Sequence, residues 1–180
     1  KSILPDGKGA CILPHGVLFR GSVEKGDAEA KLRKALVESH IIKGIIGLPA
    51  NLCYGTGIPA CIIIIDKAAA RDSKGIFMID AKDGFYKDGA KNRLREQDIQ
   101  RIADAWAKEA KLSHFSRLVP YSEIEKNDYN LNIPRYIQPR STEIQQDLYA
   151  HLHGGLPKAD VDALEALWDV CPSLRDKIFE

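Results

Sequence analysis

Apolar residues along the first half of the chain fall into short unbroken runs, separated by stretches in which they recur at helical spacing. The turn cluster Pro5-Asp6-Gly7-Lys8-Gly9 leads directly into Ala10-Cys11-Ile12-Leu13, which Pro14 stops. A continuous apolar run of that length reads as a strand buried on both faces. From Asp27, a candidate N-cap, the period changes. Ala28, Leu32, Ala35 and Leu36 share one face of a helix expected to end near His40. Residues 41–48 and 58–65 are again β-branched and apolar, and the loop between them contains Gly55 and Gly57. Two such strands joined by a loop of about ten residues predict an antiparallel pair. Residues 75–80, Gly-Ile-Phe-Met-Ile-Asp, predict a further buried strand, and the polar stretch 82–91 predicts a loop. Ile99, Ile102, Ala103, Trp106 and Ala110 mark the inner face of a helix over residues 95–111, with Glu96 and Asp98 in its first turn.

This order predicts an α/β fold with a mixed sheet, a parallel part at its start, and helices on both faces. Residues 121–139 are punctuated by Asn127, Asp128, Asn130, Asn132, Pro134 and Pro139 and show no strong period, so they read as irregular. Helical patterns return over 142–152 and 159–170, divided by Gly154-Gly155-Leu156-Pro157. The expected organisation is a sheet domain over 1–139 and a helical tail over 140–180.

With 180 residues, the chain suffices for one domain and a small appendage. It is 44% hydrophobic and 28% charged, and no apolar run approaches the ~20 residues that cross a bilayer. Without an export signal at its start, a cytoplasmic location is expected. The four cysteines, Cys11, Cys53, Cys61 and Cys171, have no C-x-x-C spacing, and three lie in apolar segments, so they read as small core residues. The net charge of +1 gives no global signature of nucleic-acid binding, so any DNA contact must be local. Met78 is the sole methionine, and the chain opens almost at once on a turn and a strand, which reads as part of a longer polypeptide.

Gly55-Thr56-Gly57-Ile58-Pro59-Ala60 matches G-x-G-x-x-A formally, but Pro59 leads into a run of isoleucines rather than a helix, so no pyrophosphate site is expected. The two glycines leave open a plain strand connection and a ligand-facing loop. His15, beyond the end of the first strand, is placed where ligands of open α/β sheets gather, as a contact or as an ordinary loop residue. Lys87, Lys91, Arg93 and Arg95, beside Phe85, Tyr86 and Asn92, form a local basic cluster that suits either DNA phosphates or solvent. His151 and His153 are the one histidine pair near metal-ligand spacing, and they would point to opposite sides of an extended segment. No hydrolase elbow, zinc-protease motif or P-loop occurs in the sequence.

Four ordered segments carry a more specific resemblance. They are residues 12–21 (ILPHGVLFRG), residues 45–52 (IIGLPANL) with residues 54–60 (YGTGIPA), residues 92–95 (NRLR), and residues 127–136 (NDYNLNIPRY). Together they resemble the modification subunits of type I restriction-modification systems, a branch of the S-adenosylmethionine-dependent, adenine-specific DNA methyltransferases. The tail, with Gly154-Gly155-Leu156-Pro157 and Asp160-Val161-Asp162-Ala163-Leu164, resembles the region after the catalytic domain in such subunits.

The resemblance implies a Rossmann-like sheet whose first half binds S-adenosylmethionine and carries N-P-P-[FY]. Neither that motif nor a glycine-rich cofactor loop occurs here, so this chain corresponds to the second half, with catalytic and cofactor residues expected upstream of Lys1. The loop 48–58 then corresponds to the one that holds the target adenine once it is rotated out of the duplex. Pro49, Cys53, Tyr54, Gly55 and Gly57 are its candidate pocket residues; His15, Lys91, Arg93 and Arg95 are candidate DNA contacts. The family commonly has two adjacent aromatics in this loop, where this chain has Cys53 and Tyr54. Tyr54 is the stacking candidate, with a ring packed in the core as the alternative. Residues 127–136 are expected to close the end of the domain rather than touch DNA.

The implied parent function is methyl transfer to the exocyclic amine of adenine in duplex DNA. Its implied partners are the specificity and restriction subunits, the tail docking the former. The segment alone is expected to be inactive. A non-catalytic assembly module and part of a fused restriction-methylation polypeptide are the competing readings.

Overall fold

In the computed structural model, residues 3–138 and Leu152 are described. The chain divides into two units, Lys1–Arg140 and Ser141–Glu180; the account below concerns the first. The helical tail expected over 140–180 lies outside the described residues, Leu152 apart.

The elements run β1 (Lys8–Pro14), α1 (Ala28–Glu38), β2 (Ile42–Gly47), β3 (Ala60–Asp66), β4 (Gly75–Asp80), β5 (Tyr86–Asp88), β6 (Lys91–Arg93), α2 (Glu96–Lys108), β7 (Ser116–Pro120) and α3 (Tyr121–Lys126). Short 3-10 turns stand at His15–Leu18, Ala68–Arg71 and Ile133–Arg135. The main sheet has the order β1-β3-β2-β4-β7. β3 lies antiparallel between β1 and β2, β2 runs parallel to β4, and β4 is antiparallel to β7. The expected antiparallel pair is present as β2 with β3. The parallel pair, however, lies mid-sheet and not at the start, because the first strand joins β3 and not β2.

Unbroken apolar strands form here because both faces of the sheet are covered. Ile45, Cys61, Ile76 and Met78 point into one core with Val37 of α1 and Ile124 of α3. Ile46, Phe77 and Ile79 point into the other, against Ala105, Ile102 and Trp106 of α2. Gly44 makes room for this second layer. A Cβ at that position would lie 2.8 Å from Trp106 Cη2 and 2.6 Å from the Phe77 carbonyl oxygen. Trp106 therefore settles directly on the sheet, edge-on to Phe77.

Several expectations are corrected. β1 is not buried on both faces: Ile12 is 68% exposed, since the strand has a neighbour only on its β3 side among the described residues. The buried face of α1 is Ala30, Arg33 and Val37, while Leu32 is 62% exposed. Arg33 can turn inward because its guanidinium donates to the carbonyls of Tyr129, Val17 and Arg20 at 2.9, 3.2 and 2.9 Å. In α2, Ile102 and Trp106 face the sheet as expected, but Ile99 is exposed and Asp98 is buried. Glu109, in the left-handed region at φ 43°, ends that helix earlier than expected. In the stretch expected to be a loop over 82–91 a hairpin begins, β5 with β6, turning at Gly89 (φ 60°) and running on to Arg93. β7 had no counterpart in the sequence reading.

The stretch expected to be irregular opens with α3 and supplies Ile124, Leu131, Ile133, Tyr136 and Ile137 to the core. Of the described cysteines only Cys61 is buried, and burial raises its thiol pKa to about 11; Cys11 and Cys53 are exposed. Cys171 lies outside the described residues.

Candidate functional site

β1, β2 and β4 all point the same way, since β1 and β2 each oppose β3 and β2 parallels β4. Their carboxyl ends place His15, the loop 48–58 and Asp80 along one end of the sheet, where open α/β folds gather ligands.

The loop 48–58 starts from Pro49, which is fully buried. Pro49 anchors the entry of the loop. Asn51 takes a left-handed conformation (φ 61°), and its backbone N–H donates to the Gly57 carbonyl at 3.2 Å, closing the loop on itself. Tyr54 stands at the tip, 89% exposed, which removes the alternative of a ring packed in the core. Gly55 turns at φ 80° directly after it, whereas Gly57 has no positive φ. Cys53 lines an apolar hollow of about 210 Å³ together with Ile12, Leu13, Thr56, Ile58 and Pro59. Pro59 leads into β3 and not into a helix, in agreement with rejection of the dinucleotide motif.

The hairpin β5–β6 lies against this loop. Lys91 Nζ donates to Asn51 Oδ1 at 3.2 Å and to the carbonyls of Cys53 at 2.8 Å and Thr56 at 3.2 Å. Asn92 donates its backbone N–H to the Asn51 carbonyl at 3.0 Å and its side-chain amide to the Ala50 carbonyl at 2.8 Å. Asn51 returns a bond from Nδ2 to the Ala90 carbonyl at 2.7 Å. Asn51 and Asn92 were missed as site residues. The only sequence signal for them was their place inside two motif segments.

The candidate DNA contacts do not form a free basic patch. All three hydrogens of the Lys91 ammonium are taken by loop oxygens. Arg93 pairs with Asp88 at 2.6 Å. Arg95 grips Asp98 with two bonds, 2.7 and 2.9 Å, and caps the start of α2. That grip holds the Asp98 carboxyl below the usual carboxylate range. His15 is half-buried; its backbone N–H donates to the Pro59 carbonyl at 2.9 Å and its ring meets Phe19 edge-on. Burial lowers its pKa, partly offset by Asp80, so the ring is neutral at pH 7 and offers hydrogen bonds, not charge.

A braced loop presenting an aromatic ring beside an apolar hollow suits a flat, partly apolar ligand such as a base. Among the described residues no glycine-rich strand-to-helix turn is present. The N-terminus of α2 is closed by Arg95 and Asp98.

Comparison with known proteins agrees with this architecture. Residues 1–145 match the family model described as N-6 DNA Methylase. The chain is 38% identical over 145 residues to the type I restriction enzyme MjaVII methylase subunit of Methanocaldococcus jannaschii, covering 78% of this chain and 24% of that protein. It is 28% identical over 139 residues to the HindI methylase subunit of Haemophilus influenzae, covering 74% and 30%. Among solved structures, the type I restriction-modification methyltransferase subunit from Streptococcus thermophilus superposes with a TM-score of 0.66 at 40% identity, over 74% of this chain and 27% of that one. A structure from work on assembly and conformational transition of the type I system shares the fold, with a TM-score of 0.59 at 20% identity, over 95% and 36%. The chain therefore belongs to the N-6 DNA methylase family, and its relatives are methylase subunits of type I restriction enzymes. It spans about a quarter to a third of their length.

Proposed function

We propose that this chain is the carboxyl-side part of a methyltransferase subunit whose whole transfers methyl from S-adenosylmethionine to the exocyclic amine of adenine in duplex DNA. Within it, the sheet described here continues across the open edge of β1, where Ile12 and Leu13 lie exposed beside the apolar hollow. The cofactor sits on that continuation. The loop 48–58 forms the lip of the target-base pocket, with Tyr54 as the stacking face. Residues 140–180 dock the specificity subunit, and the restriction subunit joins through the assembled complex.

The observation that supports this reading best is Tyr54. A tyrosine 89% exposed on a loop held by hydrogen bonds from a second element has no packing role among the described residues to explain its place. An extruded base needs such a face, because the target nitrogen is unreachable inside the stack. Full-length protein with its specificity subunit is expected to label adenine with radioactive methyl from S-adenosylmethionine. Labelling absent from every duplex, or found on cytosine, overturns the reading.

For the segment in isolation, the exposed β1 edge favours a non-catalytic assembly role. Titration of the 180-residue chain with S-adenosylmethionine is expected to give no saturable binding; clear binding would move the cofactor site into this chain.

A further inference from the structure

The segment Asn92-Arg93-Leu94-Arg95 stood out in the sequence as a separate motif, yet its charges are engaged within the protein. We propose that its hairpin is a clamp that fixes the target-base loop, with Lys91 and Asn92 as positioning residues for Tyr54. The inference rests on the proposed role of that loop but concerns what holds it.

Loops closed only at their ends cost entropy to order when a ligand arrives. Here that order is imposed beforehand. Lys91 Nζ reaches two carbonyls that flank Tyr54, those of Cys53 and Thr56, together with the Asn51 side chain. A compact ammonium with three rotatable donors suits three converging oxygens, and four apolar methylenes carry it from the hairpin to the loop. Asn92 and Asn51 add three further bonds near the loop's start. All these links join positions some 35 to 42 residues apart. Among the described residues the tip is unencumbered: none lies within 4 Å of where a Gly55 Cβ would stand. The loop is thus held at its shoulders while its aromatic tip remains open.

A phosphate-binding Lys91 would do something different. It would add to the salt dependence of DNA affinity, and its loss would flatten the logarithmic salt slope by about one. A clamp predicts no change in that slope.

The test uses the full-length methyltransferase. In Lys91→Met without DNA, amide hydrogen exchange over residues 50–57 is expected to rise about tenfold, the size that loss of one or two net hydrogen bonds produces, with β2, β3 and β4 unchanged. With 2-aminopurine at the target position, the fluorescence rise on base extrusion is expected to fall several-fold while the salt slope of binding stays at its original value. Unchanged exchange over 50–57, or a slope reduced by about one, overturns the clamp. Asn92→Ala removes a bond at the exposed rim and keeps the test decisive if Lys91→Met does not fold. It must raise exchange over the same residues, and no rise there overturns the proposal. Failure of the base-stacking role would leave the exchange result intact and remove only the fluorescence effect, so the two ideas fail separately.

Discussion

The Nε of Arg33 donates to the carbonyl of Tyr129 at 2.9 Å, joining helix α1 to a segment 96 residues further along the chain. The same guanidinium holds the carbonyls of Val17 and Arg20, so one buried side chain ties three separate stretches. Its charge tolerates this burial because several strong acceptors replace water, although desolvation still lowers the guanidinium pKa.

Arg33→Met should therefore destabilise the protein by about 2–4 kcal/mol, since it leaves several carbonyls without their charged donor. Arg33→Lys should recover only part of the loss, because one ammonium cannot reproduce the fork. Urea denaturation checks both. A midpoint unchanged in Arg33→Met would show that water replaces the guanidinium freely.

Gly44→Ala addresses the opposite face of the sheet. The added methyl would press on Trp106 Cη2 and on the Phe77 carbonyl, and the latter is backbone of a paired strand that cannot turn aside. A loss of about 1–3 kcal/mol is expected from such overpacking, accompanied by a shift in tryptophan emission. Combining it with Trp106→Leu should relieve only part of the strain. Full relief would mean that the strand is not the obstacle.

These two residues also show what the sequence could and could not disclose. β2, β3 and β4 were legible because strands covered on both faces carry apolar runs, here broken only by Lys43 and by the aspartates that end β3 and β4. Nothing in the sequence marks Arg33 as a core residue, because a charge at helical spacing ordinarily faces water, and only the carbonyls of distant residues turn it inward. The hairpin of β5 and β6 is short, polar and exposed, so no period of two could betray it. β7 has Arg117 and Leu118 outside the core, which hides its alternation. At the site, the loop with Tyr54 and Gly55 was visible as a motif. Its bond to Lys91 was not, because the acceptors are backbone carbonyls more than thirty residues away. Pairing with Asp88 and Asp98 likewise turned a supposed basic patch into a set of internal contacts.

His15 gives a pH signature. Its folded pKa lies below the ordinary 6.5, with burial as the main cause. The unfolded chain therefore binds a proton more readily than the folded one just below that pH. Stability contributed by the neutral ring is present above pH 6.5 and declines as the pH falls toward the lowered folded value. His15→Gln should flatten the urea midpoint between pH 7 and pH 5 relative to the parent. An identical pH profile in both proteins would place the slope on other groups.

Tyr54→Ala separates stability from function. The ring is almost wholly exposed, so its loss should leave the unfolding midpoint within about 0.5 kcal/mol of the parent. If it stacks on the extruded adenine, its removal forfeits about 1–3 kcal/mol of that contact, which corresponds to a fall of roughly 5- to 160-fold in methylation by the full-length enzyme. The fall should be largest on a paired adenine, where the duplex opposes extrusion, and smaller on adenine opposite a mismatch, where unpairing has already been met. Phenylalanine at the position should retain most activity, since the stacking surface and not the hydroxyl carries the effect. Equal losses on both substrates, or activity unaffected by alanine, would show that the exposed ring does some other work at the end of this sheet.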